Sequence, residues 1–349
     1  MKKHIQKVIV SISVLMLSTV ILQGAKDFKL VHRLTYKDQI YGYFRGSLID
    51  SDNDIIVGFY GTPLRLFTPE KSIQFALMGQ GPNQLTNLWA YCWYNNDLAL
   101  FEMPNKIKIF MKKNDSYQWK ETKWLKRGPF AHVPRGAVFF DNKWFIAGSN
   151  FHDMGGPTSK VSFVKIYGAN GKPLKDLLFK QFKEPRMHIH MHYFILVCKN
   201  RVLYLPENEL KVTVIDPTEL KILKEVSLET PVYYKPMPPD FYILNDSGKR
   251  SDLLKALEYW KYSYSRISKV VVDENQLVLQ FRIFDEERKK FALLFYNAEN
   301  FKLEKTVFTD DCFLGARNGE YYFYANGDPG FDEEDADKCI INVYRFEDK

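Results

Sequence analysis

The chain has 349 residues, 46% of them hydrophobic, 15% aromatic and 26% charged, with Phe (27) and Tyr (21) in surplus. That composition belongs to a folded globular protein and excludes disordered, collagenous and small disulfide-scaffold classes. Basic residues exceed acidic ones by 49 to 42, but Lys2, Lys3 and Lys7 stand in an acid-free N-terminal stretch; the remaining 46 are spread along the chain against the 42 acids, which excludes a nucleic-acid partner.

Residues 1–25 have a basic start, an uncharged run over residues 8–22, and then Gln23-Gly24-Ala25. This is the layout of a secretory signal, and it places the protein in the periplasm or outside the cell. The run is shorter than the roughly 20 residues that a membrane-crossing helix needs. Cleavage is expected after Ala25, although Gln23 stands where a small residue is preferred. An uncleaved anchor is the alternative, and it is the only membrane contact expected. No cysteine lies near the end of the run, so a lipoprotein signal is absent. The mature domain is residues 26–349.

Residues 28–36 read as a strand that belongs to no complete unit. From there one short pattern recurs, an Asn followed after one residue by three mostly apolar residues, beginning at Asn53, Asn96, Asn142, Asn200 and Asn275. A sixth copy at Asn318 carries one extra residue. Asn tolerates left-handed backbone and bonds its own chain, so each copy marks a hairpin turn between two strands. A third apolar strand follows each copy, as in Leu64-Arg65-Leu66-Phe67 or Val212-Thr213-Val214-Ile215, and a more polar fourth strand closes the first five units. Four antiparallel strands per repeat make a β-propeller blade. The expected fold is therefore all-β, a single six-bladed propeller, with residues 28–36 supplying the strand that the last unit lacks. Closure of this kind removes the free sheet edges of an open ring.

The widest gap between repeats holds a non-blade insertion, about residues 231–265, between blades 4 and 5. Its first half is proline-rich (Pro231, Pro236, Pro238, Pro239), and its second half, from Ser251 to Trp260, reads as a short capped helix. A degenerate seventh blade competes with this reading, but the Asn turn is missing there. Of the four cysteines, Cys92 and Cys198 sit in apolar strand-like runs and are expected as buried free thiols. Only Cys312 and Cys339 lie close enough in sequence to suggest a local bridge. No zinc-type Cys/His spacing is present.

The junction after the first unit, Gly79-Gln80-Gly81-Pro82-Asn83-Gln84-Leu85, resembles the G-x-G-P-G-E-F junction of secreted bacterial six-bladed propellers of the NHL and TolB-like groups. It departs from that pattern at Asn83 and Gln84, and Arg127-Gly128-Pro129-Phe130 echoes it once more. The resemblance implies the fold and an exported location. Members of these groups serve as binding scaffolds and, in some branches, as metal-dependent lyases or lactonases, so it does not settle function.

Propeller topology puts the blade junctions and the connections between second and third strands on one face, and the Asn hairpins on the other. The long irregular loops fall on the first face, where a rigid scaffold carries its binding residues. Arg135 and Arg186, at blade junctions, are candidates to meet an anionic group, and His132, His152 and Asp153 accompany them. In His188-Ile189-His190-Met191-His192 alternate residues of an extended chain share a side, so His188, His190 and His192 are candidate ligands for a divalent metal. Solvent-facing histidines are the plainer reading, because no supporting shell is visible. The acidic loop with Asp328, Asp332, Glu333, Glu334, Asp335 and Asp337 lacks the calcium-loop spacing and reads as a solvated surface. No nucleophile elbow, P-loop or HExxH is present. The expectation is a monomeric exported scaffold, non-catalytic, that binds a protein, peptide or glycan; the alternative is a metal-dependent propeller hydrolase or lyase built on the three histidines.

Overall fold

The computed structural model describes residues 28–37, 44–59, 62–102, 105–126, 132–150, 160–181, 192–236, 264–284, 290–325 and 338–346. Strand β1 (Phe28–Tyr36) comes first, and blade 1 follows as β2 (Phe44–Ile49), β3 (Ile55–Phe59), β4 (Leu64–Phe67) and β5 (Ser72–Phe75). The short parallel pair β6 (Leu77–Met78) and β7 (Gln84–Leu85) makes the first junction. Blade 2 is β8 (Leu88–Tyr94), β9 (Asp97–Glu102), β10 (Lys106–Lys113) and β11 (Ser116–Trp124); blade 3 is β12 (His132–Phe140), β13 (Lys143–Asn150), β14 (Lys160–Gly168) and β15 (Pro173–Gln181). Blade 4 is β16 (Tyr193–Cys198), β17 (Arg201–Pro206), β18 (Lys211–Asp216) and β19 (Lys221–Ser227); blade 5 is β20 (Ile267–Asp273), β21 (Gln276–Arg282), β22 (Phe291–Asn297) and β23 (Leu303–Thr309). Among the described residues blade 6 has β24 (Cys312–Arg317), β25 (Glu320–Tyr324) and β26 (Cys339–Phe346) of its own.

The six sheets are four-stranded and antiparallel, and the sixth runs in the order β1-β26-β25-β24. The N-terminal strand thus completes the last blade, from Phe28 opposite Phe346 to Tyr36 opposite Cys339. The fold is a six-bladed β-propeller. Among the described residues no helix is long and apolar enough to cross a membrane. The helix expected at residues 251–260 lies outside the described residues.

Each buried apolar cluster is one interface between neighbouring blades. Blades 1 and 2 share Leu66, Phe75, Leu98 and Phe110; blades 2 and 3 share Phe101, Ile109, Trp144 and Tyr167; blades 6 and 1 share Ile55, Phe67, Tyr322 and Ile341. The three remaining interfaces follow the same plan. The aromatic surplus is spent here, as with the stacked rings of Tyr94 and Trp144 at 5.0 Å, because large flat side chains fill the wedge between twisted sheets.

The turns follow the Asn pattern with one refinement. Left-handed backbone falls on the motif residue itself at Asn53, Asn142 and Asn318, but one residue earlier, on Asn95, Lys199 and Glu274, in blades 2, 4 and 5. At the first junction the Gly81 N–H donates to Gln84 Oε1 at 2.9 Å, and a Cβ on Gly79 (φ +148) would run into the same amide. The amide oxygen of Gln84 therefore does what a Glu carboxylate could do at that position. Lys108, buried between Ile107 and Ile109 in β10, donates to Gly81 O at 2.8 Å and also to Gln84 O, which holds the junction to blade 2.

All four cysteines are buried and free. The bridge suggested between Cys312 and Cys339 does not form, because these residues open β24 and β26 on either side of β25. Two strand spacings amount to roughly 9–10 Å, beyond the roughly 7 Å across which a disulfide reaches.

Candidate functional site

The inner strands of five blades share a bulge near their upper ends. The pairing of inner and second strands skips Arg45, Trp89, Arg135, Ser268 and Leu314 in blades 1, 2, 3, 5 and 6; blade 4 alone pairs without a skip. A bulge adds a residue that the ladder does not use, so its side chain is re-aimed. Two of these extra residues meet: the Arg135 guanidinium lies over the Trp89 ring, 4.8 Å from its centroid. Gly136, next along the chain, lets β12 approach β16: a Cβ there would fall well inside contact distance of the Tyr193 backbone oxygen.

Blades 4 and 5 add the other half of the mouth. Glu207 follows β17, and its backbone joins two blades: its N–H donates to His192 O at 3.1 Å, and its carbonyl accepts from Ile267 N at 2.8 Å. The side chain is turned inward, only 1% exposed, and Oε1 has no hydrogen-bond partner. Burial pushes the Glu207 carboxyl up to about 7, against the pull of the Arg266 guanidinium, a hydrogen bond from the His192 backbone and the Arg135 guanidinium. Arg266 sits one residue before β20, beside the fully buried Ser265 and Tyr264. The base of the insertion closes on the same side: Ser265 N donates to Lys235 O at 2.7 Å, and Lys235 N donates to Ser265 Oγ at 3.0 Å. Two guanidiniums, an indole and a carboxyl that titrates near neutrality can together receive a ligand carboxylate and exchange a hydrogen bond with its neighbouring hydroxyl or amide.

Of the residues singled out in the sequence, Arg135 is part of this mouth. His192 lies half-buried just before β16, and its backbone contacts Glu207. His132 opens β12, with its backbone opposite Asn150. His152, Asp153, Arg186, His188 and His190 lie outside the described residues, as do Arg127 and the acidic residues of 328–337. Sequence reasoning missed Trp89, Glu207 and Arg266. A signal for the bulged side chains was present, since Arg45, Trp89, Arg135 and Leu314 each precede a Gly or Ala near the start of an inner strand.

Among the described residues a different cluster has metal-ligand geometry: Asp50, Asp52 and Asp54, at the first Asn hairpin on the opposite face. Lys112 already sits among these carboxylates, with Nζ 2.8 Å from Asp50, 2.6 Å from Asp52 and 2.8 Å from Asp54. Tyr117 adds a hydrogen bond to Asp50 at 2.9 Å. Asp54 is nonetheless raised, by burial and by its acidic neighbours, while the exposed Asp52 is lowered by its bond to Lys112. This is an ion network that ties blade 1 to blade 2.

No family model and no curated protein matches the chain. Solved structures do. An exported protein of Bacteroides fragilis, described as putative, aligns over 93% of this chain and 96% of its own at 13% identity and TM-score 0.60. A DUF4221-family member from Bacteroides vulgatus aligns over 93% and 99% at 12% identity and TM-score 0.55. A luciferin-regenerating enzyme aligns over 90% and 98% at 11% identity and TM-score 0.51. At these identities the likeness is one of fold: the chain shares the propeller architecture of these proteins.

Proposed function

We propose that this protein is an exported, monomeric, non-catalytic binding propeller, of the secreted group that residues 79–85 resemble, which takes a carboxylate-bearing peptide or glycan at the channel mouth. The observation that carries the reading is the buried, underbonded carboxyl of Glu207 beside Arg266 and the Trp89-stacked Arg135. Buried polar groups are ordinarily satisfied, and a ligand hydroxyl or amide that hydrogen-bonds to Glu207 while its carboxylate meets the arginines would complete the set. Export rests on the signal-like layout of residues 1–25 and fits the description of the Bacteroides fragilis protein; N-terminal sequencing of exported protein should begin at Lys26. Calorimetric titration tests the ligand class, with a peptide bearing a free α-carboxylate against its amide and a uronic-acid oligosaccharide against a neutral one. At least one acidic member should bind tenfold tighter than its neutral twin and lose that preference in Arg135→Ala and Arg266→Ala. Equal binding within both pairs, or none at all, would sink the reading.

A further inference from the structure

Blade 5 departs from the other bulged blades at one position. The residue after the bulge is Gly46, Ala90, Gly136 and Gly315 in blades 1, 2, 3 and 6, but Lys269 in blade 5. Its side chain passes blade 6 and reaches blade 1, where Nζ donates to Ser47 O at 2.5 Å and lies 3.1 Å from Ser47 Oγ. Ser47 Oγ in turn donates to Leu314 O on β24. Lys269 is half-buried on β20, the inner strand of blade 5, and the inner strands of a propeller surround its central channel. Among the described residues no carboxylate pairs with it. The titratable group acting on it is the Cys312 thiol at the start of β24.

Two N–H groups suffice for the two contacts with Ser47. A neutral amine keeps both, whereas the ammonium has a further N–H for which no acceptor stands among the described residues. Burial accordingly pulls the Lys269 amine down to about 8, and Cys312 only partly opposes the shift. A desolvated lysine of this kind is an activated nucleophile toward carbonyl carbon.

We propose that Lys269 is the nucleophilic amine of a second site, inside the channel, that captures small aldehydes as imines. The nitrogen lone pair adds to the carbonyl carbon while the carbonyl π pair moves to oxygen, which is protonated to a carbinolamine. The C–O bond then breaks, water leaves with a second proton, and the nitrogen lone pair closes the C=N bond; nothing is oxidised or reduced. Ser47 Oγ, held by Leu314, is placed to pass the proton between nitrogen and oxygen. This site needs neither Arg135 nor Arg266, so its failure and the failure of the mouth as a carboxylate site are separate results.

The test treats the folded full chain with acetaldehyde and cyanoborohydride, which supplies the hydride that traps the imine, and counts ethylation at each lysine by peptide mass spectrometry. Lys269 should be ethylated about tenfold faster at pH 7 than the exposed Lys175, with a rate that rises through about pH 8. Ser47→Ala should slow it, and Lys269→Arg should remove that product alone. Labelling of Lys269 no faster than Lys175 in the unmutated folded protein would overturn the proposal and leave Lys269 as a tether between blades 5 and 1. Because the deciding comparison is made within the unmutated chain, an unfolded variant does not cloud it.

Discussion

The carboxylates at the Asn hairpins and Glu207 at the channel mouth are bonded in opposite ways. On the hairpin face three sets of carboxylates meet donors across a blade boundary. Asp273 of blade 5 accepts from Asn318 N and Gly319 N of blade 6, both at 3.1 Å; Glu320 of blade 6 accepts from Asn53 of blade 1 at 3.4 Å; and the aspartates of blade 1 surround Lys112 of blade 2. On the channel-mouth face Glu207 is buried deeper than most of these and has less to bond. A protein that can satisfy carboxylates so fully at one end has no stability reason to leave one short at the other. Satisfied charge marks where the ring is fastened, and the underbonded Glu207 is where the proposed ligand would act.

That contrast can be broken experimentally. The largest effect is expected from Lys112→Met, which leaves Asp50 and Asp54 buried without a counter-ion; urea denaturation should show a loss of about 3–5 kcal/mol, with ligand affinity at the mouth unchanged. Glu207→Gln should act in the other direction. Because the folded-state carboxyl titrates near 7 and the unfolded one near 4.5, the folded protein holds the extra proton between these values, and the unmutated chain loses stability as pH rises from 4.5 through 7. The Gln variant should lack that slope and be more stable at pH 8 by on the order of 3 kcal/mol, with no gain at pH 4; equal pH slopes in the two proteins would remove Glu207 from the argument. Gly136→Ala pushes a methyl against the Tyr193 carbonyl and should cost about 1–3 kcal/mol in thermal melts. It should also weaken ligand binding, since it displaces the Arg135 bulge. The smallest effect is expected at Glu274, which holds left-handed backbone at φ 49: Glu274→Gly should gain under about 1 kcal/mol and leave the mouth untouched.

The ring was legible in the sequence because its signals are local and repeated. Six Asn turns, a third-strand apolar run after each, and an unassigned strand at residues 28–36 leave few other topologies, and β1 pairs as that leftover strand required. Cys312 and Cys339 misled for the opposite reason: proximity in sequence says nothing about an intervening strand. The mouth was legible only at Arg135. Glu207 lies in a short connection with no motif, and its significance comes from burial by blades 3 and 5, which no local pattern encodes. Arg266 looks like any charged residue before a strand. The bulges were visible as a residue ahead of Gly or Ala, but only the register shows that the ladder skips it.

The strand that closes the ring also fixes an orientation. As the outermost strand of blade 6, β1 begins at Phe28, opposite the end of β26 on the hairpin face, and finishes at Tyr36 on the junction face. Whatever precedes Phe28 therefore leaves from the hairpin side, and only Lys26 and Asp27 separate it from the signal-like segment. Two residues span at most about 7 Å. Were that segment retained in a bilayer, the hairpin face would be drawn against the lipid headgroups like a foot, and the channel mouth would open away from the membrane, toward whatever arrives from outside.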